Sequence, residues 1–149
     1  MRQVEVQVAG AVRLAGTLAL PDRAGPHPGV LLVAGSGPVD RDENAPRLRL
    51  NIFRELRSVL AAAGLAVLSY DKRGTGASAG SLLSSGLSDL VSDARCALAH
   101  LAGGTEVDAG RLFVVGHSEG GLIAPLLADQ PGVCGLVLLC STHRPLQEP

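Results

Sequence analysis

The stretch LFVVGHSEGG, Leu112 to Gly121, decides the fold. Four apolar residues run straight into a serine boxed in by small neighbours. A short, continuous apolar run suits a strand covered on both faces, as in a parallel sheet. The segment that follows, Gly120 to Asp129, is apolar nearly all round and predicts a buried helix.

Three more runs of the same kind lie along the chain: VLLVA (Val30–Ala34), LAVLSY (Leu65–Tyr70) and GLVLLC (Gly135–Cys140). Helical patterns separate them. Ile52, Phe53, Leu56, Val59, Leu60 and Ala63 fall at i, i+3, i+4 spacing, with Arg54, Glu55 and Arg57 on the opposite face and Gly64 as the stop. Leu87, Leu90, Val91, Ala94, Ala97, Leu98 and Leu101 repeat the pattern before Gly103 and Gly104. At the N-terminus Val4, Val6 and Val8 alternate with Gln3, Glu5 and Gln7, which predicts a half-buried strand. With Val12–Leu20 it forms an antiparallel hairpin, and Pro21–Gly29 is a loop dense in Pro and Gly. Alternating strands and helices predict a doubly wound α/β sheet with right-handed crossovers. Residues 1–149 read as a single domain without repeats or linkers.

Composition narrows the function. Hydrophobic residues make up 46% and charged residues 18%, enough apolar surface for a packed core. The net charge is −1 and there is no basic run, so nucleic acid and membrane surfaces are not expected partners. Aromatics at 2% argue against base-stacking surfaces. The N-terminus MRQVEVQV is not a signal peptide, and no apolar run is long enough to span a bilayer. Cys96, Cys134 and Cys140 sit in apolar segments at spacings that fit no zinc site. They read as buried free thiols, hence a cytoplasmic chain.

Open α/β sheets bind ligands beyond the carboxyl ends of their strands. Four loops occupy that end: GSGPVDRDEN after Ala34, DKRGTGAS after Tyr70, HSEGG after Gly116 and STHRPLQEP after Cys140. In the third, Gly116-x-Ser118-x-Gly120 follows a strand and opens a helix, the context of a nucleophile elbow. So tight a turn needs small residues two before and two after the serine. An oxyanion hole then takes one N–H from the residue after the nucleophile, Glu119, and one from the loop after an earlier central strand. Gly35-Ser36-Gly37 allows close backbone approach, and the Ser36 N–H is the second candidate donor. Asp40, Asp42 and Asn44 imitate a calcium loop, but Ala45 and Asn51 stand where it needs glycine and glutamate, so no metal is expected. Gly74-x-Gly76-x-x-Ala79, with Asp93 downstream, imitates a dinucleotide fingerprint. Asp71, Lys72 and Arg73 separate it from its strand, and a structural loop held by local Asp71 and Arg73 hydrogen bonds is the better reading. No cofactor is expected.

Taken together, GSGPVDRDEN, YDKRGTGAS, VVGHSEGGLIAPLLA and STHRPL resemble bacterial α/β-hydrolases of the serine esterase and serine aminopeptidase-like group. The resemblance covers nearly the whole chain. It implies a three-layer α/β-hydrolase core and an acyl hydrolase of small-molecule esters or amides. It also implies Ser118 as nucleophile and Ser36 and Glu119 as oxyanion donors. Many relatives carry His before the first glycine of the oxyanion loop, where this chain has Ala34.

The triad of this fold runs Ser, then Asp or Glu, then His. Only 31 residues follow Ser118, so the resemblance implies a core lacking its last strands, with the acid and the histidine. His117 is expected to pack or hydrogen bond beside the turn, and His27 and His100 to be solvated. His143 is the one substitute base to consider, as a Ser118–His143 dyad. Two functions stay open: a serine hydrolase, or a catalytically inactive fragment that serves as a binding or subunit module. A strand Gly135–Cys140 with no outer neighbour invites self-association.

Overall fold

The computed structural model describes residues 1–141. The six strands are β1 (Arg2–Val8), β2 (Leu14–Leu20), β3 (His27–Val33), β4 (Ala66–Tyr70), β5 (Val107–His117) and β6 (Val133–Leu139). They form one sheet in the order β1-β2-β4-β3-β5-β6. β1 pairs β2, and β2 pairs β4, antiparallel, whereas β4, β3, β5 and β6 are mutually parallel. This is the expected hairpin followed by four parallel strands. β1 keeps its alternation, with Gln3, Glu5 and Gln7 exposed and Val8 fully buried.

The continuous apolar runs of β3, β4 and β5 are explained by burial on both faces, whereas no residue of β6 is buried. α1 (Ile52–Ala62) covers one face, where Phe53 and Ala61 pack with Val30, Leu32, Val67 and Val115. On the other face α2 (Leu87–Ala102) and α3 (Gly120–Ile123) pack with Leu31, Val33, Leu68 and Val114 through Leu90, Ala94, Leu98 and Ile123. Neighbouring residues of β3, β4 and β5 therefore serve opposite cores.

Several expectations are corrected. The helix expected over Gly120–Asp129 is α for one turn only, then a 3₁₀ turn at Ala124–Leu127. Pro125 has no N–H to continue the i→i−4 ladder. On α1, Val59 points to solvent at 64% exposure, and Arg57 is buried rather than on a solvated face. The loop after β3 packs along that flank and supplies Arg57 with polar partners, Asp42 and the Arg41 carbonyl. His27 is also buried. It opens β3, its backbone N–H donates to the Glu106 carbonyl at 2.8 Å, and its Nε2 lies 3.1 Å from the Arg23 carbonyl. His100 is exposed on α2, as expected. The cysteines are free, but Cys96 is half-buried and Cys134 and Cys140 are exposed. The last two lie on or just after β6, the outer strand, which among the described residues has a neighbour on one side only. β5 begins five residues before the apolar run, because Val107 and Asp108 pair with β3 before a register shift. No helix among the described residues is long and apolar enough to cross a membrane.

Candidate active site

The strand order brings the ends of β4, β3 and β5 side by side, and the loops after them meet. From β3 to β4 the chain moves one way along the sheet, and from β4 to β5 it moves back past β3. That reversal opens a crevice at the carboxyl end of β3, the usual ligand position in such sheets.

At the end of β5 the chain turns at Ser118, whose φ is 51°. This left-handed conformation is costly for a residue with a side chain and persists only where its surroundings enforce it. They do so here. The Ser118 N–H donates to the Leu139 carbonyl on β6 at 2.9 Å, and its carbonyl accepts from Gly121 N–H at 2.9 Å. The glycines around it are required by contact. A Cβ at Gly116 would lie 2.1 Å from the Gly120 oxygen, and one at Gly120 would lie 2.1 Å from the Val33 oxygen. Ser118 itself stays half-exposed.

The loop after β3 lies against this turn. A Cβ built on Gly35 would sit 3.4 Å from Ser118 Cβ, 3.2 Å from His117 Nδ1 and 2.8 Å from Glu43 Oε1. Ser118, Glu119 and the Gly35–Gly37 segment, expected together from sequence, are thus neighbours. Among the described residues, no acceptor takes the amide of Ser36 or of Glu119. Ser36 is exposed and Glu119 half-exposed. His143 lies outside the described residues.

Charged side chains brace these loops, and sequence reasoning missed most of them. Glu43, 4% exposed, accepts the Gly35 N–H at Oε1 (2.8 Å), and the same oxygen lies 2.7 Å from His117 Nδ1. His117 therefore hydrogen bonds beside the turn, as anticipated. Lys72, 5% exposed, donates to the Gly35 carbonyl at 2.9 Å and to Glu119 Oε2 at 2.5 Å. Arg73 forks onto Asp93 of α2 with two 2.7 Å bonds. Arg41 forks onto Asp71 at 3.1 and 2.9 Å. Burial pushes the Asp71 carboxyl up, but hydrogen bonds from the Arg41 side chain and the Ala77 and Arg41 amides outweigh it and hold it below the ordinary carboxylate value. The loop DKRGTGAS is thus structural, but Asp71 and Arg73 reach across to the β3 loop and α2 as well as locally. Gly76 packs on Asp71, where a Cβ would fall 2.3 Å from Oδ2. Asp40 caps its own loop, accepting from the Asp42 and Asn44 amides at 2.9 Å each. Asp42 pairs with Arg57. Among the described residues no group of His, Cys, Asp and Glu could hold a metal ion.

One signal could have found Lys72. It stands in a run of charge, Asp71-Lys72-Arg73, directly after a strand buried at every position. Charges so placed must find partners at the sheet end, because water does not reach them. Glu43 and Arg57 carried no such mark, since their partners come from other segments.

Comparison with known proteins agrees with the fold. A family model described as "Serine aminopeptidase, S33" matches residues 49–148. Esterase EstD of Thermotoga maritima is 33% identical over 135 residues, which is 91% of this chain and 32% of the relative. An uncharacterized protein of Mycobacterium tuberculosis is 34% identical over 137 residues, 92% of this chain and 44% of that protein. The crystal structure of α/β-hydrolase GrgF from Penicillium sp. sh18 superposes with a TM-score of 0.79 at 18% identity, over 95% of this chain and 46% of that one. The chain spans less than half the length of these proteins. Family match, relatives and fold agree: the chain belongs to the serine aminopeptidase S33 family of the α/β-hydrolase superfamily.

Proposed function

We propose that this chain carries the nucleophile and oxyanion half of a serine hydrolase acting on an ester or amide bond of a small molecule. Ser118 Oγ attacks the carbonyl carbon, the carbonyl π pair moves onto oxygen, and the N–H groups of Ser36 and Glu119 receive the oxyanion. Collapse of the tetrahedral species expels the alcohol or amine and leaves an acyl-enzyme on Ser118, which water hydrolyses. The reaction needs a base to take the Ser118 proton and return it to the leaving group. The observation that carries the reading is the left-handed Ser118 at a strand-to-helix turn, with the Gly35 loop packed on its Cβ. The esterase among the relatives favours an ester substrate, and the family description an amide.

A second reading keeps the turn as architecture and makes the chain a binding or subunit module. One observation favours it. Of the described histidines, His27 lies at the opposite end of β3, His100 is on the exposed face of α2, and His117 Nδ1 is engaged by Glu43. A fluorophosphonate probe separates the two, with the label located by peptide mass mapping. A hydrolase carries the label on Ser118 and loses it in Ser118→Ala. Absence of label at high probe concentration, or label that survives Ser118→Ala, sinks the hydrolase reading.

A further inference from the structure

We infer that Lys72 is a positioning residue that aims both oxyanion donors. The inference rests on the hydrolase reading above. A trans peptide is planar, so the C=O of one residue and the N–H of the next point in opposite directions. Lys72 Nζ holds the Gly35 carbonyl at 2.9 Å. The N–H sharing that peptide plane is Ser36, and the hold on Gly35 therefore turns the Ser36 N–H away from Lys72. Glu43 fixes the preceding peptide by accepting the Gly35 N–H at 2.8 Å. Gly35 has no side chain to hold its loop, so these two contacts set its orientation.

The same Nζ donates to Glu119 Oε2 at 2.5 Å. Glu119 supplies the other amide. One buried nitrogen thus ties the loop after β3 to the turn after β5, from a loop that follows β4. The strand order makes this possible, because β3 lies between β4 and β5, and the lysine stem and the Glu119 side chain together bridge the two strand spacings, about 10 Å. Arginine at the two neighbouring loop positions would not replace it, since Arg73 and Arg41 are each committed to an aspartate. The geometry differs from an ion pair that merely adds stability. A structural pair needs only the carboxylate, whereas Lys72 also holds a backbone carbonyl next to the donor amide.

The test uses the full chain with Lys72→Met, which keeps the length of the stem and removes the donor, and, as a control, the double variant Arg73→Met with Asp93→Leu, which removes the neighbouring buried ion pair without touching Gly35. Rates of fluorophosphonate labelling are measured at a temperature where circular dichroism shows each variant folded. Loss of one oxyanion donor costs about 100- to 1,000-fold in rate. A misaimed donor in Lys72→Met is expected to lower kinact by at least about 10-fold with KI within about 2-fold, while the Arg73→Met, Asp93→Leu control keeps kinact within about 3-fold. Isotope-labelled Lys72→Met should also shift the Gly35 carbonyl carbon and the Ser36 amide nitrogen in the NMR spectrum. A folded Lys72→Met with wild-type kinact overturns the inference and leaves the Ser118 reading standing. So do unmoved Gly35 and Ser36 signals. A wild-type chain that takes no label sinks the Ser118 reading itself and the role of Lys72 with it.

Discussion

Gly120→Ala sets two rules of thumb against each other. Gly120 opens α3, and alanine is the better helix former by about 1 kcal/mol. On propensity alone the substitution stabilises. The structure gives the opposite sign. The new Cβ would lie 2.1 Å from the Val33 oxygen, 2.7 Å from the Val33 carbonyl carbon and 2.9 Å from the Ala34 oxygen. The first contact is about 0.9 Å inside the closest approach a Cβ makes in a close-packed interior. All three atoms are backbone of β3 or its exit, so no side chain can swing away. Either α3 lifts from the sheet or β3 deforms, and overpacking of this kind costs about 1–3 kcal/mol, occasionally more. With the clash at the upper end and the propensity gain subtracted, the net loss is about 2 kcal/mol. For a chain of this size that lowers Tm by about 4–8 °C. Urea unfolding followed by circular dichroism reads the change as a lower midpoint at unchanged slope. A Gly120→Ala protein as stable as wild type, or more so, would show that α3 does not press on β3, and the reasoning for a sterically enforced turn at Ser118 would fail.

Three further outcomes are expected. Asp93→Ala leaves the buried Arg73 guanidinium without its forked partner and should cost about 3–5 kcal/mol, whereas Arg73→Met with Asp93→Leu should recover most of that loss in the same unfolding assay. Asp71 has a folded pKa below its unfolded value of about 3.9, so its contribution is present above that value and disappears as pH falls through the folded value. Stability measured from about pH 5 down to pH 2 should therefore fall less steeply in Asp71→Asn than in wild type, and parallel curves would contradict this. We also propose that the chain self-associates through β6, where Val137 and Leu138 are 46% and 49% exposed. Sedimentation velocity at micromolar concentration should show oligomers that Val137→Lys with Leu138→Lys dissolves, and a wild-type monomer would refute it.

The fold was legible because its signals are local. Val30–Ala34 and Leu112–Gly116 read as two-faced strands from sequence alone, and β3 and β5 do feed both cores. The strained serine was legible for the same reason, since Gly116 and Gly120 are demanded by contacts within one turn and its nearest strand. What escaped was decided at a distance. Arg57 looked like surface on the helical pattern of α1, but a loop fifteen residues upstream packs over it and supplies Asp42. His27 reads as loop because Pro21–Gly29 is rich in turn formers, although pairing with Val107 draws it into the sheet. Cys134 and Cys140 were placed in the core by the apolar character of their segment, which marks a strand but does not say whether that strand is interior. Glu43 carries no sequence mark of its role, and the charge run around Lys72 marks only that it must find a partner, because each acts on a backbone group of Gly35 that only the fold brings near.

In the proposed reaction the oxygen of Ser118 faces the amides of Ser36 and Glu119. A crystal structure of the chain after reaction with a fluorophosphonate tests it most directly. Phosphorus should be bonded to Ser118 Oγ, with the phosphoryl oxygen about 2.7–3.1 Å from both amide nitrogens. A phosphoryl oxygen turned to solvent, or an Oγ buried against the sheet and unmodified, would contradict it.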